Sequence, residues 1–361
     1  MGIDNDKLGD LIATTLKDLP RQEFEVAWDN VDYEFCRIYQ NQRIQIDGGT
    51  SIQRNVMLDH SGNASYRRLF DTDQPKVANV QKQIDVPWTQ IGTNYSWDVL
   101  EILRNRNSAK GFINLMESRR TDGLWALAEL IEERAWKTPT NVTDKLFPYG
   151  VPYYLNMLAA GSTTAGFNGQ TIRYQDGTTG TVCAGIDAAV EDKWRNYAAT
   201  YVKVDNALLR ALRKAFLATR FRPPLFVKSP GRDNEVGTRR MYANLDTNVE
   251  LQDLADKRDD ATQPKDLAGK ALVDVEGTVY FNRVPVQYIP QLDGVDYNPI
   301  YTVDFKKFIP YVQDGYWMEE SKPMTDRLQH TTFTVYLDGS HNNLCLNRRT
   351  AGFVLHNPIP A

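Results

Sequence analysis

Near the start of the chain, apolar residues recur at three and four positions, at Leu8, Leu11, Ile12, Leu16 and Leu19. This spacing predicts an amphipathic helix capped by Asn5 or Asp6 and ended by Pro20. The polar stretch after Pro20 separates its stripe from the next element, so Leu8, Leu11, Ile12 and Leu16 are candidate contacts with a neighbour or assembly partner; packing on its own domain is the alternative. Between residues 39 and 92 the period becomes two. Ile44 and Ile46 alternate with Gln45 and Asp47, and Val80, Ile84, Val86 and Trp88 with Gln81, Gln83 and Asp85. The two runs predict the long strands of one hairpin, with turn-rich loops between them. A two-stranded ribbon with so few large apolar residues buries too little surface to stand alone. It must lie across something else, which makes Ile44, Ile46, Ile84, Val86 and Trp88 candidate contacts.

A long helical pattern follows over 108–136, with Ile113, Met116, Leu124, Leu127, Ile131 and Ala135 tracking one face and Pro139 closing it. At 1.5 Å per residue it would run about 40 Å. Gly111 and Gly123 weaken it, and the acidic stretch Glu129, Glu132 and Glu133 reads as a solvated face. Residues 149–201 turn rich in Gly and Thr and predict short strands and turns. A second helix runs from a cap at Asp205 with Leu208, Leu212, Ala215, Phe216 and Thr219 on one face. Its other face, Arg210, Arg213 and Lys214, is solvated or pairs with acids on a neighbour, DNA contact being the lesser reading. Beyond Pro223-Pro224 the pattern predicts a helix near 248–257 and strands at 278–281 and 284–288. Near the end, Phe333, Val335 and Leu337 mark one sheet face, a Gly turn follows, and Gly352-Phe353-Val354-Leu355 forms a last strand. The fold class is α+β.

At 361 residues, with 42% hydrophobic and 24% charged residues, the chain has the composition of a globular protein with more than one core. Its net charge of -4, from 42 basic and 46 acidic residues, argues against an adhesive nucleic-acid binder, which needs a clustered basic excess. No apolar run approaches the roughly 20 residues that span a bilayer. Asp4 and Asp6 stand where a signal peptide carries positive charge, so assembly in the cytoplasm and no membrane partner are expected. Cys36, Cys183 and Cys345 are far apart and odd in number, and read as buried small hydrophobes.

Candidate chemistry is sparse. His60, His330, His341 and His356 lack metal-ligand spacing, there is no Gly-x-Ser-x-Gly elbow, and Gly269-Lys270 is followed by Ala271 where a P-loop needs a hydroxyl. Asp338-Gly339-Ser340-His341 holds triad residue types but reads as a tight turn. Asp59, His60, Asp71 and Asp73 are a weak cation-site pattern that loop composition explains equally well. No catalytic residue, cofactor or metal is expected.

Three features resemble tailed-bacteriophage major capsid proteins: the closing segment Asn343-Leu344-Cys345-Leu346-Asn347-Arg348-Arg349 with its last strand, the pair Ala184-Gly185-Ile186-Asp187 and Trp194-Arg195-Asn196-Tyr197, and the order of elements. The resemblance implies the Hong Kong phage capsid fold, with an N-terminal arm (1–38), an extended loop (39–94) reaching over the adjacent subunit, a peripheral domain (95–224) holding the spine helix, an axial domain (225–320) and closing strands (321–361). It further implies a structural, non-enzymatic protein that forms hexamers and pentamers of an icosahedral phage head around double-stranded DNA, and is found in the virion. A scaffolding protein, a portal and a decoration protein would be its partners. The long coiled-coil scaffolding segment of the fullest family members does not precede the arm, which scaffolding by a separate protein or prior cleavage would explain. The alternatives are an encapsulin-like compartment, a phage tail or surface carbohydrate-binding protein, and a hydrolase built on Asp and His loops.

Overall fold

The computed structural model describes residues 33–70, 72, 76–104, 109–220, 239–261, 279–325 and 331–360. Among the described residues helix α1 (Glu34–Asn41) comes first and buries Phe35, Ile38 and Tyr39, a one-sided stripe at helical spacing. Strands β1 (Ile44–Ile46), β2 (Ser51–Met57), β3 (Gln81–Pro87) and β4 (Thr89–Asp98) follow, then α2 (Val99–Arg104) and the spine α3 (Ala109–Ala135), the long helix that the periodicity predicts over 108–136. Leu127, Ile131 and Ala135 of α3 are buried, whereas Leu124 is 37% exposed.

The solvated reading of the acidic stretch holds for exposed Glu129 and for Glu133, which pairs with Lys137 at the surface, and fails at Glu132. Glu132 is fully buried, and its carboxylate accepts from the Phe35 backbone N–H at 2.8 Å and the Trp136 indole at 2.9 Å. Tyr33, at the N-cap of α1, makes no side-chain cap bond. A carboxylate from another helix therefore satisfies one of the donors that the start of α1 leaves open, and its charge suits the positive end of that helix.

The Gly- and Thr-rich stretch forms short pieces, as expected: α4 (Val151–Tyr154), β5 (Gly166–Gly169), β6 (Ile172–Arg173), β7 (Thr179–Gly180), β8 (Val182–Cys183), β9 (Ile186–Asp187) and β10 (Asn196–Thr200). Helix α5 (Asn206–Ala218) begins at Asp205, whose side chain accepts from the Ala207 and Leu208 N–H groups. Then come β11 (Arg239–Ala243), α6 (Leu245–Ala261), β12 (Val279–Phe281), β13 (Val284–Tyr288), β14 (Ile300–Asp304), β15 (Phe308–Gln313), β16 (Glu319–Glu320), β17 (Met324–Thr325), β18 (Thr332–Cys345), α7 (Arg348–Ala351) and β19 (Gly352–His356).

Two large sheets organise these elements. The first has seven strands in the order β12-β13-β11-β14-β19-β10-β5, with α5 and α6 closing a core on one face through Leu208, Leu212, Phe216 and Leu251. It draws strands from segments 95–224, 225–320 and 321–361 alike. In the second sheet β18 is the hub, pairing with β15, β4, β16 and β17, while β1 lies beyond β15. Under it a larger core gathers Phe35, Trp136, Tyr154 and Phe308.

Three strand expectations change. Ile44–Ile46 pairs in parallel with β15, Ile44 opposite Tyr311, so the partner of β3 in the hairpin is β2, with Ser51 opposite Pro87 and Met57 opposite Gln81. Strand β4 runs through position 94, where the loop was expected to end, because Thr89 to Asp98 pairs without a break along His341 to Thr332. No turn interrupts β18 at Gly339. That glycine is required by close packing: a Cβ there would sit 3.0 Å from Trp317 Cε3 and 3.4 Å from the Met318 nitrogen.

Candidate functional site

The β2–β3 hairpin is anchored at its base and bare at its tip. Ile52, Ile84 and Val86 point into the main core. The Asp85 N–H donates to the Ala184 carbonyl at 3.0 Å, and Lys82 Nζ lies 3.2 Å from Glu191. The two-residue loop between β8 and β9, Ala184 and Gly185, has positive φ at both positions, 50° and 84°, as a tight hairpin turn of the mirror-image type requires. That turn receives the hairpin base, with the Gly185 Cβ position 3.6 Å from Asp85 Cβ.

Beyond Leu58 and Val80 the chain leaves the body. Asn63 clasps Lys76 with two hydrogen bonds of 2.8 and 3.1 Å, tying the two arms of the loop together. Past this clasp Tyr66, Leu69 and Phe70 stand in solvent, Leu69 85% and Phe70 95% exposed, with Met57 and Val77 exposed on the arms. Burying one such side chain contributes about 1.5–3 kcal/mol. A loop that presents several has the chemistry of a contact surface.

The predicted contact residues are placed differently. Leu8, Leu11, Ile12 and Leu16 lie outside the described residues. Ile44, Ile46 and Trp88 are half-buried beside the main core, the Trp88 indole donating to the Gly49 carbonyl at 3.0 Å. Ile84 and Val86 are fully buried in the chain's own core rather than offered to a neighbour. The exposed loop residues were missed, although the run Tyr66-Arg67-Arg68-Leu69-Phe70 inside otherwise polar loop composition is a readable signal.

The two motifs behind the resemblance meet in space. Asn347 caps α7 by accepting from the Arg349 N–H at 3.0 Å, which carries the fully buried Arg348 into the body. Arg348 donates to the carbonyls of Tyr154 and Trp194 at 2.8 Å each, and to that of Gly169 at 3.4 Å. Trp194 is also fully buried, and its indole donates to the Cys183 carbonyl at 3.1 Å. This network is structural, locking β10, α4, the β8–β9 turn and α7 together.

The remaining candidates for chemistry do not converge. His341 is buried in β18, edge-on to the stacked rings of Tyr39 and Trp317, and burial pulls its pKa down to about 4. His356 is buried too, its Nε2 accepting from the Leu158 N–H at 3.0 Å. The cysteines are free thiols; burial raises Cys183 to about 11, and Cys36 and Cys345 to about 12, which keeps them from acting as nucleophiles. Asp59 is turned back on the loop, accepting from the His60 N–H at 2.8 Å, while Asp71, Asp73, His330 and Gly269-Lys270 lie outside the described residues. Among the described residues no three metal-ligating side chains come together, and no helix is long and apolar enough to cross a membrane.

No protein-family model matches the chain, and no curated protein does. Solved structures match it nearly end to end. It is similar to the capsid asymmetric unit of cyanophage A-1(L), with a TM-score of 0.62 and 15% identity over 94% of this chain and 96% of that one. The capsid of a native GTA particle follows at 0.56 and 10% identity, covering 96% of each chain. The capsid of Myoviridae phage XM1 gives 0.53 and 11%, covering 99% of each. The chain has the phage capsid fold. The expected α+β architecture is therefore borne out, and the long helix α3, the β2–β3 loop and the seven-stranded lobe are elements of a capsid fold that spans nearly the whole chain.

Proposed function

We propose that this chain is the major capsid protein of a tailed phage, self-assembling into an icosahedral head that encloses double-stranded DNA. The observation that carries the reading is a capsid fold spanning nearly the whole chain, bearing a clasped loop with large apolar side chains in solvent. In such a shell the loop reaches across an adjacent copy, the part of the N-terminal arm (1–38) that precedes α1 engages a neighbour or scaffold, and the lobe around residues 225–320 gathers at the axis of each hexamer or pentamer. A scaffolding protein, a portal and a decoration protein are its expected partners, and the virion its destination. The role is structural and non-enzymatic. A net charge of -4 suits a container, because an interior that gripped phosphate would resist packing and release.

Negative-stain microscopy of the purified protein, co-expressed with any scaffolding partner, tests the proposal. Closed shells support it. Fibres or isolated trimers would support a tail or carbohydrate-binding role instead, and small monodisperse particles would sink the assembly reading.

A further inference from the structure

Helices α5 and α6 lie on one face of the seven-stranded sheet, α5 against β10 and α6 against β12 and β13, towards opposite ends of the strand order. Their inner sides share a core. Their outer sides carry opposite charge. On α5, Arg210, Arg213 and Lys214 follow at three- and four-residue spacing and face solvent, with Leu217, 71% exposed, continuing the stripe. On α6, Asp246, Glu250 and Asp253 recur at positions four and three apart and line a groove of about 380 Å³, whose far rim is formed by residues 201–204. Exposed Val202 on that rim, and Leu245 and Val249 beside the carboxylates, add apolar surface. None of the six charged side chains has an ion-pair partner among the described residues, and neither has Lys203 on the rim. At 1.5 Å per residue, Arg210 to Lys214 spans about 6 Å and Asp246 to Asp253 about 10 Å, so the acidic row is long enough to receive the basic one.

We propose that the basic stripe of α5 on one copy of the chain docks into the acidic groove of α6 on the next. This rests on the capsid reading above. A second copy is the occupant because the complementary rows are carried by the same chain, and each has apolar side chains that a small ion would not need. The two surfaces differ, so the contact is head-to-tail and can close into a ring. Facing rows of opposite charge steer encounter and fix register. Ring formation should weaken with salt, as the screening length falls from about 10 Å at 0.1 M to about 3 Å at 1 M.

Charge reversal tests it. R210E/K214E makes both surfaces acidic, and D246K/E250K makes both basic; all four side chains are exposed, so each variant should stay folded, D246K/E250K melting a few degrees lower because Asp246 lies in the first turn of α6, where a carboxylate suits the helix N-terminus. Each alone should lose rings and shells by about ten-fold or more. Mixed in equal amounts, the two variants again present opposite charges at every junction, so even-membered rings return, while odd rings cannot alternate. A chain carrying all four substitutions should recover to within about three-fold of the unaltered yield. Normal assembly by either reversal alone, or failure of both rescues, overturns the proposal; loss confined to the α5 variant without rescue is the result a DNA contact would give. If the unaltered chain forms neither rings nor shells, the capsid reading falls and this one with it. If unaltered chain and reversals assemble alike, this proposal alone fails.

Discussion

Arg348 Nη2 donates to the side-chain oxygen of Asn196 at 3.1 Å, across 152 positions of sequence. Asn196 uses the same oxygen to accept from the Asn156 N–H at 3.0 Å, and its Nδ2 donates to the Asn156 carbonyl at 2.9 Å. A buried guanidinium is thus held by carbonyl and amide oxygens, with no carboxylate among these partners. Such a group is stable only while its donors are satisfied, because an unpaired buried polar atom costs about 1–3 kcal/mol.

Replacing Arg348 should therefore be among the most damaging single changes. Arg348→Ala leaves a cavity and several orphaned carbonyls, for a loss of about 4 kcal/mol in chemical denaturation. Arg348→Lys keeps the charge but concentrates its donors on one nitrogen, which cannot reach oxygens spread around a planar fork, and should still lose roughly 2 kcal/mol. A lysine variant as stable as the unaltered chain would show that charge, and not the fork, matters at this position.

Local patterning carried the long helices but missed α1, which crosses the expected boundary between arm and loop at 38 and 39, and α2; its other failures are contacts between distant residues. The spine, α5, β12 and β13 follow from apolar spacing and caps within a few residues. Strand β4 was also written in the sequence, with Ile91, Tyr95 and Trp97 at alternate positions, but Gly92 suggested an end to the hairpin. Glu132 could not be read correctly from its neighbours, because the helix it caps is 97 residues away. Asp338-Gly339 has turn composition, yet its conformation is decided by Trp317 lying against the glycine. Of the candidate assembly surface, the hairpin was legible and its inward and outward residues were not. Period two alone does not say which strand is the partner, and the partner of β3 was β2.

Gly339→Ala tests the packing reading of that glycine. The added methyl presses on the Trp317 ring, which stacks on Tyr39 with centroids 5.4 Å apart. The expected cost is about 1–3 kcal/mol. Near-ultraviolet circular dichroism should lose part of its tryptophan signal while the far-ultraviolet spectrum stays unchanged. A variant with unchanged tryptophan signal and full stability would mean that Trp317 has room to move.

Acid should destabilise the subunit through His341. Burial lowers its folded pKa from 6.5 to about 4, so folding favours the neutral ring. This contribution is fully present above pH 6.5 and is lost as pH falls through 6.5 towards 4, by about 3 kcal/mol at most. Carboxylates held below their usual range, such as Asp144, lose stabilisation at lower pH in both proteins compared. The difference between the unaltered chain and His341→Phe isolates the histidine: urea midpoints of the variant should fall less between pH 7 and about pH 4.5. Parallel pH profiles would count against the histidine.

Loop excision separates folding from assembly. The hairpin base belongs to the subunit, since Ile84 and Val86 are fully buried and the ladder continues to the Leu58 N–H, which donates to the Val80 carbonyl at 3.0 Å. Removal of the whole hairpin would therefore unfold the chain. Replacing residues 59–79 alone with Asn-Gly closes β2 and β3 with a short turn that suits their twist. The lost segment carries Tyr66, Leu69, Phe70 and Val77 in solvent, so its removal should shift the melting temperature by no more than about 3 °C. Shells should be absent. A milder version, Leu69→Asp with Phe70→Asp, keeps the loop and places two charges where apolar contact is expected, each costing a few kcal/mol if desolvated. Ile84→Asp is the contrasting control, expected to yield insoluble or unfolded protein. Normal closed particles from the excised chain would mean that the exposed apolar tip has no part in holding neighbours together.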